Sequence, residues 1–559
     1  MRFTNISPPF LKILSLGGSG FVTSNMFVYE TPKDIIIVDC GIGFPDEEML
    51  GIDLLLPDTT YLNDKIQKIR AIFLTHGHED HIGGLPFILP QFSANIPIFA
   101  SKLTAGLAQE KLAEFSLKTK INLINPNEFL RIGDFQIESI RITHSIPDSL
   151  NFLIHTPVGD IYHASDFKFD WTPIDNVYPE VGKIALAGQK GILCLVSDCL
   201  RSEKEGYTPS ESSITESFER EMNTCSGKFI VTTFSSNISR IQQAIDVAQK
   251  HNRKVCFLGL SMEKSVFIAQ RLGFLKIPHQ IILKEKHLKN YPPSKLCLIV
   301  AGSQAQVGSA LYKIANNENK HTQITDGDKV VFSSDYIPGN ENNIRSLIDT
   351  LSKKGAVVCY RDILEDLHVS GHASQNDLLL MIALTQPNFL TPIGGTYRHM
   401  KQFENLCLKF GYKKNQIFLP DTGQALFFNQ KAQPNLLPKI PLRHVLVDGL
   451  GVGDVGHAVL RDRKVLSEEG IVVAVIPIEQ NTQELLSEPE IISRGFVYIK
   501  ESKNLIKKAQ NEIKKTLLNK KGKIKNYRFL RKEIESRLEK LFFEVTNRRP
   551  MVLTFILEV

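Results

Sequence analysis

Apolar and polar positions over the first two hundred residues fall into short runs that break on Gly, Asp or His. MFVYE at 26–30, IIIVDCG at 35–41, RAIFLTH at 70–76 and IPIFA at 96–100 each predict a strand ending in a turn. So do FQIESIRITH at 135–144 and NFLIHTPVGDIYHASD at 151–166. Helical pattern is sparser, with one helix expected over 82–90 and another over 102–118. Strands with interspersed helices point to stacked sheets covered by helices.

The pattern changes after about residue 208. TPSESSITESFEREM predicts a loop capping a helix, and FIVTTF, KVCFLG, LCLIVAGS, DKVVFSS and AVVCYRD predict strands. Helices through SRIQQAIDVAQKH, EKSVFIAQRLGFL and 341–353 lie between strands, the alternation expected of a parallel sheet. Residues 368–440 return to short segments, and 427–440 reads as a loop or extended linker. The last stretch predicts strands at IVVAVIPIE and SRGFVYI, a charged helix near 500–518, a second helix near 528–546 and a terminal strand MVLTFILEV. In the second helix Leu530, Ile534, Leu538 and Leu541 form one apolar stripe.

A chain of 559 residues exceeds one core, so about three domains are expected. No run of about 18 apolar residues predicts a membrane span, and the N-terminus does not read as a signal peptide. Eight cysteines without a CxxC pair, several inside apolar runs, read as buried thiols of a cytoplasmic protein rather than disulfides or thiolate metal ligands. The formal charge is +6, yet residues 500–559 hold 17 Lys or Arg against 7 Asp or Glu, a local net of +10. A basic terminal module suits an anionic polymer or an acidic partner surface, and equally a solvated Lys-rich helix.

The sharpest chemical signal is LTHGHEDHIGG. His76, His78, Asp80 and His81 stand within six positions, after an apolar strand and before Gly83 and Gly84. Imidazole and carboxylate suit zinc, and manganese or iron at lower affinity. His144 in THSIPDS and Asp166 in HASDFKFD sit at strand ends and are candidates to complete the shells, with Asp166 able to bridge two ions. His155 and His163 read as structural. Two ions about 3.5–4 Å apart acidify water and stabilise an in-line displacement. That chemistry suits phosphoesters, lactones, thioesters and amides alike.

THGHEDHIGG, THSIPDS and DFKFD resemble the metallo-beta-lactamase superfamily. With SDCLRSEKEGYTPSE, TTFSSNISRIQ, YIPGNE, HVSGHASQNDL, DGLGVGDVGHAVLRDR, SRGFVYIKES and RRPMVLTFILEV, the whole chain resembles ribonuclease J, of the branch with an inserted beta-CASP domain. The resemblance implies an α/β architecture: a metallo-beta-lactamase αββα sandwich over 1–208 and 366–440, a beta-CASP parallel-sheet domain over 209–365, a linker at 441–454 and a basic α+β C-terminal domain at 455–559. It implies two divalent ions, zinc first and manganese the alternative. His76, His78 and His144 would hold one; Asp80 and His81 would hold the other, with Asp166 shared. Asp198 would order the catalytic histidines, and His372 would face the scissile phosphate. His368, Ser370, Gly371 and Ser374 would receive an RNA 5′ monophosphate. Ser235 and Asn237 would face the terminal nucleotides. The implied partners are single-stranded RNA and further copies in a homodimer or homotetramer, or a homologous ribonuclease subunit, with no membrane. The implied activity is 5′ to 3′ exonucleolytic, with endonucleolytic cleavage beside it, in RNA maturation and decay.

TPIGGTYRHM departs from the pattern. The family usually has a histidine that binds the second ion where Gly394 stands, and only a shifted loop would bring His399 there. Phe21 stands where an acidic residue is usual, and Cys199 and Leu200 where small polar residues are usual. These changes raise a second reading, a weakly active or inactive RNA-binding partner of a homologous ribonuclease. A third, a thioesterase or lactonase on the same metal fold, is disfavoured by the inserted domain and HVSGHASQ.

Overall fold

The computed structural model describes residues 8–558 apart from 93–94, 338, 450, 481, 483, 498–502 and 519–526. Two compact units emerge, one of 1–44 with 54–445 and one of 45–53 with 446–559.

In the larger unit an eight-stranded sheet is built from Leu11–Gly17, Met26–Glu30, Ile35–Val38, Ile69–Phe73, Ile98–Ala100, Ile121–Leu123, Ala425–Phe428 and Pro434–Leu436. A six-stranded sheet holds Phe129–Ile132, Phe135–Arg141, Leu150–His155, Asp160–Ala164, Cys194–Asp198 and Phe389–Ile393. Phe27, Tyr29, Ile36 and Phe73 from the first pack with Phe135, Phe152, Ile161 and Val196 from the second in one buried core. Helices cover both outer faces: Lys102–Glu114 lies on one, and Val181–Lys190, Gln375–Thr385 and Tyr397–Phe410 on the other. The result is the four-layer sandwich that the resemblance implies.

The inserted sheet is wholly parallel, in the order Lys254–Leu258, Leu296–Val300, Phe229–Thr232, Lys329–Phe332, Val357–Cys359. Its strands are buried on both faces, as parallel strands under helices must be. The smaller unit has a three-stranded sheet, Glu490–Arg494, Ile471–Ile478 and Met551–Glu558, with helices Lys503–Leu518 and Tyr527–Thr546 on one face. Among the described residues no helix is long and apolar enough to cross a membrane.

Several expectations need correcting. The helix expected over 82–90 is two short pieces, Glu79–Ile82 and Leu85–Ile88, split at Gly83 and Gly84. Residues 368–440 contain two full helices. Gln375–Thr385 is apolar on most sides and so shows no amphipathic period, while Tyr397–Phe410 follows directly on the glycine turn. The stretch 427–440 supplies edge pairing through Pro434–Leu436, and 441–454 holds a hairpin of Val445–Asp448 with Gly451–Val452. A helix at His457–Glu469 was not expected. The strand expected at SRGFVYI lies earlier, at Glu490–Arg494, and residues 498–502 of that motif lie outside the described residues. The stripe of the last helix buries Leu530, Ile534, Leu538 and Phe542, with Leu541 only flanking it.

A buried ion network ties the insert to the sandwich. Lys168, wholly buried after the strand Asp160–Ala164, lies 3.4 Å from Glu211, and Glu211 accepts from Arg240 Nη2 at 2.7 Å. Arg240 also donates to the Ser333 carbonyl at 3.2 Å. Burial alone would raise the Glu211 carboxyl, but Arg240 and Lys168 bring it down from 4.5 to about 2. A depressed acid stabilises the fold above its unfolded value, so this contribution is complete above about pH 4.5 and is lost as pH falls toward 2. Removing Glu211 leaves the buried Arg240 without its carboxylate and Lys168 with Asp170 alone, 3.6 Å away. Glu211→Gln should therefore cost about 3–5 kcal/mol, read as a lower urea midpoint by fluorescence of the single tryptophan, Trp171. An unchanged midpoint at pH 7 would refute the network's role.

Candidate metal centre

The strand Ile69–Phe73 ends beneath the sandwich rim, and Thr75–His81 turns there into the short helix Glu79–Ile82. His76 and His81 are buried, while His78 is half-buried at the mouth. His144 follows the strand Phe135–Arg141, and Asp166 follows Asp160–Ala164. The four elements meet at one place. His76, His78, His144 and Asp166 form a first group of ligand atoms and Asp80, His81 and Asp166 a second, and a third, Asp166 with Asp198 and His372, adjoins them.

Hydrogen bonding fixes which nitrogen each imidazole presents. His144 Nδ1 lies 2.8 Å from the Gly371 carbonyl, which only accepts, so Nδ1 donates and Nε2 is free. The Thr75 hydroxyl donates to Asp39 Oδ2 at 2.8 Å, so it accepts from His76 Nδ1 at 3.0 Å and leaves His76 Nε2 free. His78 turns Nδ1 to His76 Nε2 at 3.0 Å and to His144 Nε2 at 3.2 Å. Asp166 Oδ2 is 3.7 Å from His76 Nε2 and 3.9 Å from His144 Nε2. Burial and the neighbouring histidines hold His76 and His78 well below the usual imidazole range, and His144 near 3. Neutral nitrogen lone pairs aimed at one point repel unless a cation sits between them. Bonds of about 2.0 Å to a tetrahedral ion put ligand atoms about 3.3 Å apart, close to these spacings. The donor set fits a divalent ion.

In the second group, His81 Nε2 is 3.2 Å from Asp166 Oδ2 and 3.6 Å from Asp80 Oδ2. His81 Nδ1 donates to the wholly buried Asp39 at 2.7 Å, which aims Nε2 at the site. Asn25 Nδ2 lies 3.0 Å from His81 Nε2 and 3.3 Å from Asp80 Oδ2. Asp39 and Asn25 were missed in the sequence. The available signal was an acid closing the apolar run IIIV, one strand before the histidine loop. Asp39→Asn should weaken ion binding about 10–100-fold without unfolding the chain. Titration of the ion-stripped protein with zinc would read it, and an unaltered affinity would remove Asp39 from the site.

Gly394 faces this second group. Its φ is +68°, and a Cβ placed on it would lie 3.5 Å from Asp198 Oδ1 and 3.6 Å from Asp166 Oδ1. His399 is not brought to either group. Its Nδ1 takes part in the cap of helix Tyr397–Phe410, 3.2 Å from the Thr396 amide, and its Nε2 lies 3.1 Å from Arg398 Nη2.

His372 borders both groups. Its Nδ1 donates to the buried Asp198 at 2.9 Å and lies 4.0 Å from Asp166. Burial works against its protonation, but Asp198 and Asp166 raise it to about 9. Ser370 Oγ accepts from the His372 amide at 3.2 Å. Ser374 caps helix Gln375–Thr385, its hydroxyl 2.8 Å from Thr208 Oγ1. His368 lies 3.5 Å from Asp335 and 3.4 Å from Arg240. Ser235 sits in the loop after Phe229–Thr232, and Asn237 caps helix Ile238–Lys250 by accepting from the Arg240 amide at 3.0 Å. Of the departures, Phe21 is half exposed with its ring edge-on to His444, and Cys199 Sγ packs where a Cβ on Gly395 would stand 2.6 Å away. His163 bonds Tyr29 at 2.7 Å and His155 lies 2.9 Å from Asp160, and neither belongs to the ligand groups.

Family models match at 19–189 (metallo-beta-lactamase superfamily), 226–351 (Ribonuclease J, beta-CASP domain), 362–420 (Zn-dependent metallo-hydrolase RNA specificity domain) and 458–559 (Ribonuclease J C-terminal domain). Ribonuclease J2 of Bacillus subtilis is 37% identical over 98% of this chain and 99% of its own. Ribonuclease J 1 of Streptococcus pyogenes is 37% identical over 99% of each. Ribonuclease J of Helicobacter pylori is 35% identical over 97% of this chain and 79% of its own. A solved structure from Enterococcus faecalis, described as a protein of unknown function, shares the fold with a TM-score of 0.52 at 15% identity, covering 75% of this chain and all of that one.

Proposed function

Because this chain belongs to the ribonuclease J family, we propose that it hydrolyses RNA from a 5′-monophosphorylated single-stranded end, with internal cleavage as a second mode, in RNA maturation and decay. The observation that carries the reading is a single carboxylate, Asp166, shared by the His76–His78–His144 and Asp80–His81 groups beside His372, whose Nδ1 bonds Asp198. His76, His78 and His144 would hold one divalent ion, and Asp80 and His81 the other. When bound, such ions polarise the phosphate and acidify a water. Asp39 and the Gly371 carbonyl orient His81 and His144. Asp198 holds His372 so that its Nε2 side meets the leaving oxygen, stabilises it and delivers a proton. His368, Ser370, Gly371 and Ser374 would receive the terminal phosphate, and Ser235 and Asn237 the nucleotides beyond. Zinc is the first choice of ion and manganese the second. Hydrolysis of 5′-monophosphorylated and 5′-hydroxyl RNA by protein of measured ion content tests the reading. Turnover of neither, with zinc or manganese at two ions per chain, would defeat it.

Gly394 favours a second reading: the chain binds RNA beside an active homologue and is itself slow. Fewer than two ions per chain and little turnover alone, with recovery on mixing with an active relative, would favour this reading. The same chain would assemble as a homodimer or homotetramer through its basic C-terminal domain. Truncation before residue 455 should then lower the sedimenting mass, and an unchanged assembly would exclude that domain as the main contact.

A further inference from the structure

The turn after the strand Cys194–Asp198 is held from several sides. Asp198 Oδ1 accepts from the Leu200 amide at 2.8 Å, and the Ser202 amide donates to the Cys199 carbonyl at 3.0 Å. The Ser202 hydroxyl donates to the His399 carbonyl at 2.8 Å. Gln375 reaches back through Nε2 to the Ser202 carbonyl and through its amide to the Lys204 carbonyl, both at 2.9 Å. Arg201 rides on this fixed turn. Its Nε donates to Ser374 Oγ at 3.4 Å. Asp198 and Arg201 thus reach His372 and Ser374, the middle and the end of the same loop.

Arg201 is half-buried, yet among the described residues no carboxylate oxygen lies within 4.0 Å of its nitrogens. Burial lowers its guanidinium from the ordinary arginine value, with Asp335 opposing and Arg361 adding to the effect. Asp335 itself is engaged by Arg361 and, at 3.5 Å, by His368. A partly desolvated cation without a direct ion pair keeps donors available for an arriving anion. Its one direct side-chain partner is the Ser374 hydroxyl, and Asp335, Asp198 and Asp377 act on it only from beyond ion-pair distance, with Arg361 opposing them. The guanidinium's planar fork matches phosphate oxygens.

We propose that Arg201 is a phosphate-recognition residue, contacting a phosphate of the RNA that lies on the Ser370–Ser374 loop beside His372. The proposal rests on the nuclease reading and adds to it a specificity-determining cation. The phosphate is either the terminal monophosphate or an internal diester, which share this chemistry.

The test is binding of a 3′-fluorescein single-stranded RNA, with its first linkages made phosphorothioate to block cleavage, to the metal-loaded full chain by anisotropy. The oligonucleotide carries either a 5′ phosphate or a 5′ hydroxyl. Arg201→Ala should weaken the 5′-phosphate oligonucleotide at least ~10-fold, leave the 5′-hydroxyl one within about two-fold, and lower the log–log salt slope by about 0.7, as loss of one phosphate contact does. Arg201→Lys should recover part of the loss. Equal weakening of both RNAs with the same fall in slope assigns the contact to an internal phosphate and also supports the proposal. Unchanged affinities and slope, with the wild-type chain binding normally, would overturn it. A wild-type chain that binds neither RNA would overturn the nuclease reading instead, and the proposal with it.

Discussion

Asp166→Asn is expected to strip the protein of its ions and to lower RNA hydrolysis by about three orders of magnitude. Asparagine keeps the volume of the carboxylate and its place after the strand Asp160–Ala164, so packing is preserved. What disappears is the one negative charge common to both ligand groups, 3.2 Å from His81 Nε2 and 3.7 Å from His76 Nε2. Burial disfavours charge there, but His81 and His372 hold the carboxyl well below its usual range. Asp166 is therefore an anion at every working pH. Without it the imidazoles would face a cation with little compensating charge, and the second group would retain only Asp80 and His81. Loss of several kcal/mol of charge stabilisation in the transition state corresponds to about 10³-fold in rate. Metal analysis after gel filtration and single-turnover cleavage read the two effects separately. Two ions per chain and near-normal cleavage in the variant would remove Asp166 from the centre of the site.

The parts of this molecule visible in its sequence are those whose cause is local. The parallel sheet of the insert is legible because each strand is a continuous apolar run and helices such as Glu341–Lys353 bury one face, with Ile344, Leu347, Ile348 and Leu351 in register. Gln375–Thr385 was illegible for the opposite reason. Packed between Val181–Lys190 and Tyr397–Phe410, it needs no polar face and shows no period. Four candidate ligands are legible because they stand within six positions. Asp39 was not, because an acid at a strand end is ordinary. Its importance lies in reaching Thr75 and His81 across more than thirty residues of chain.

Two further cases turn on through-space facts. The sequence marks HVSGHAS as a phosphate loop by its small and hydroxylated residues, but not that the Gly371 carbonyl fixes the tautomer of His144 at 2.8 Å. A Cβ on Gly371 would come within 2.6 Å of His144 Nδ1, so that glycine is required by close approach as much as by any ligand. His399 could be named a candidate from spacing alone. Its engagement in a helix cap is visible only once the helix Tyr397–Phe410 is known to start there.

Gly394→His should tighten the weaker ion at least about tenfold and raise turnover with it. The position is open toward the second group, since a Cβ there makes ordinary contacts of 3.5 Å to Asp198 and 3.6 Å to Asp166. The cost is conformational, because φ is +68°. Left-handed backbone costs an L-residue about 1–2 kcal/mol, though histidine is among the residues found there more often than most. Gly394→Ala carries the same strain without a ligand and isolates that cost. The neighbouring position offers no alternative, because a Cβ on Gly395 would stand 2.6 Å from Cys199 Sγ. If histidine at 394 binds, ion affinity and cleavage rise while the alanine variant shows only lower stability. If the histidine variant behaves as the alanine variant does, the second group is complete without a side chain at 394. The glycine would then no longer be grounds for a slow or inactive subunit, and any weakness of the enzyme would have to come from elsewhere, the half-exposed Phe21 and the buried Cys199 among the candidates.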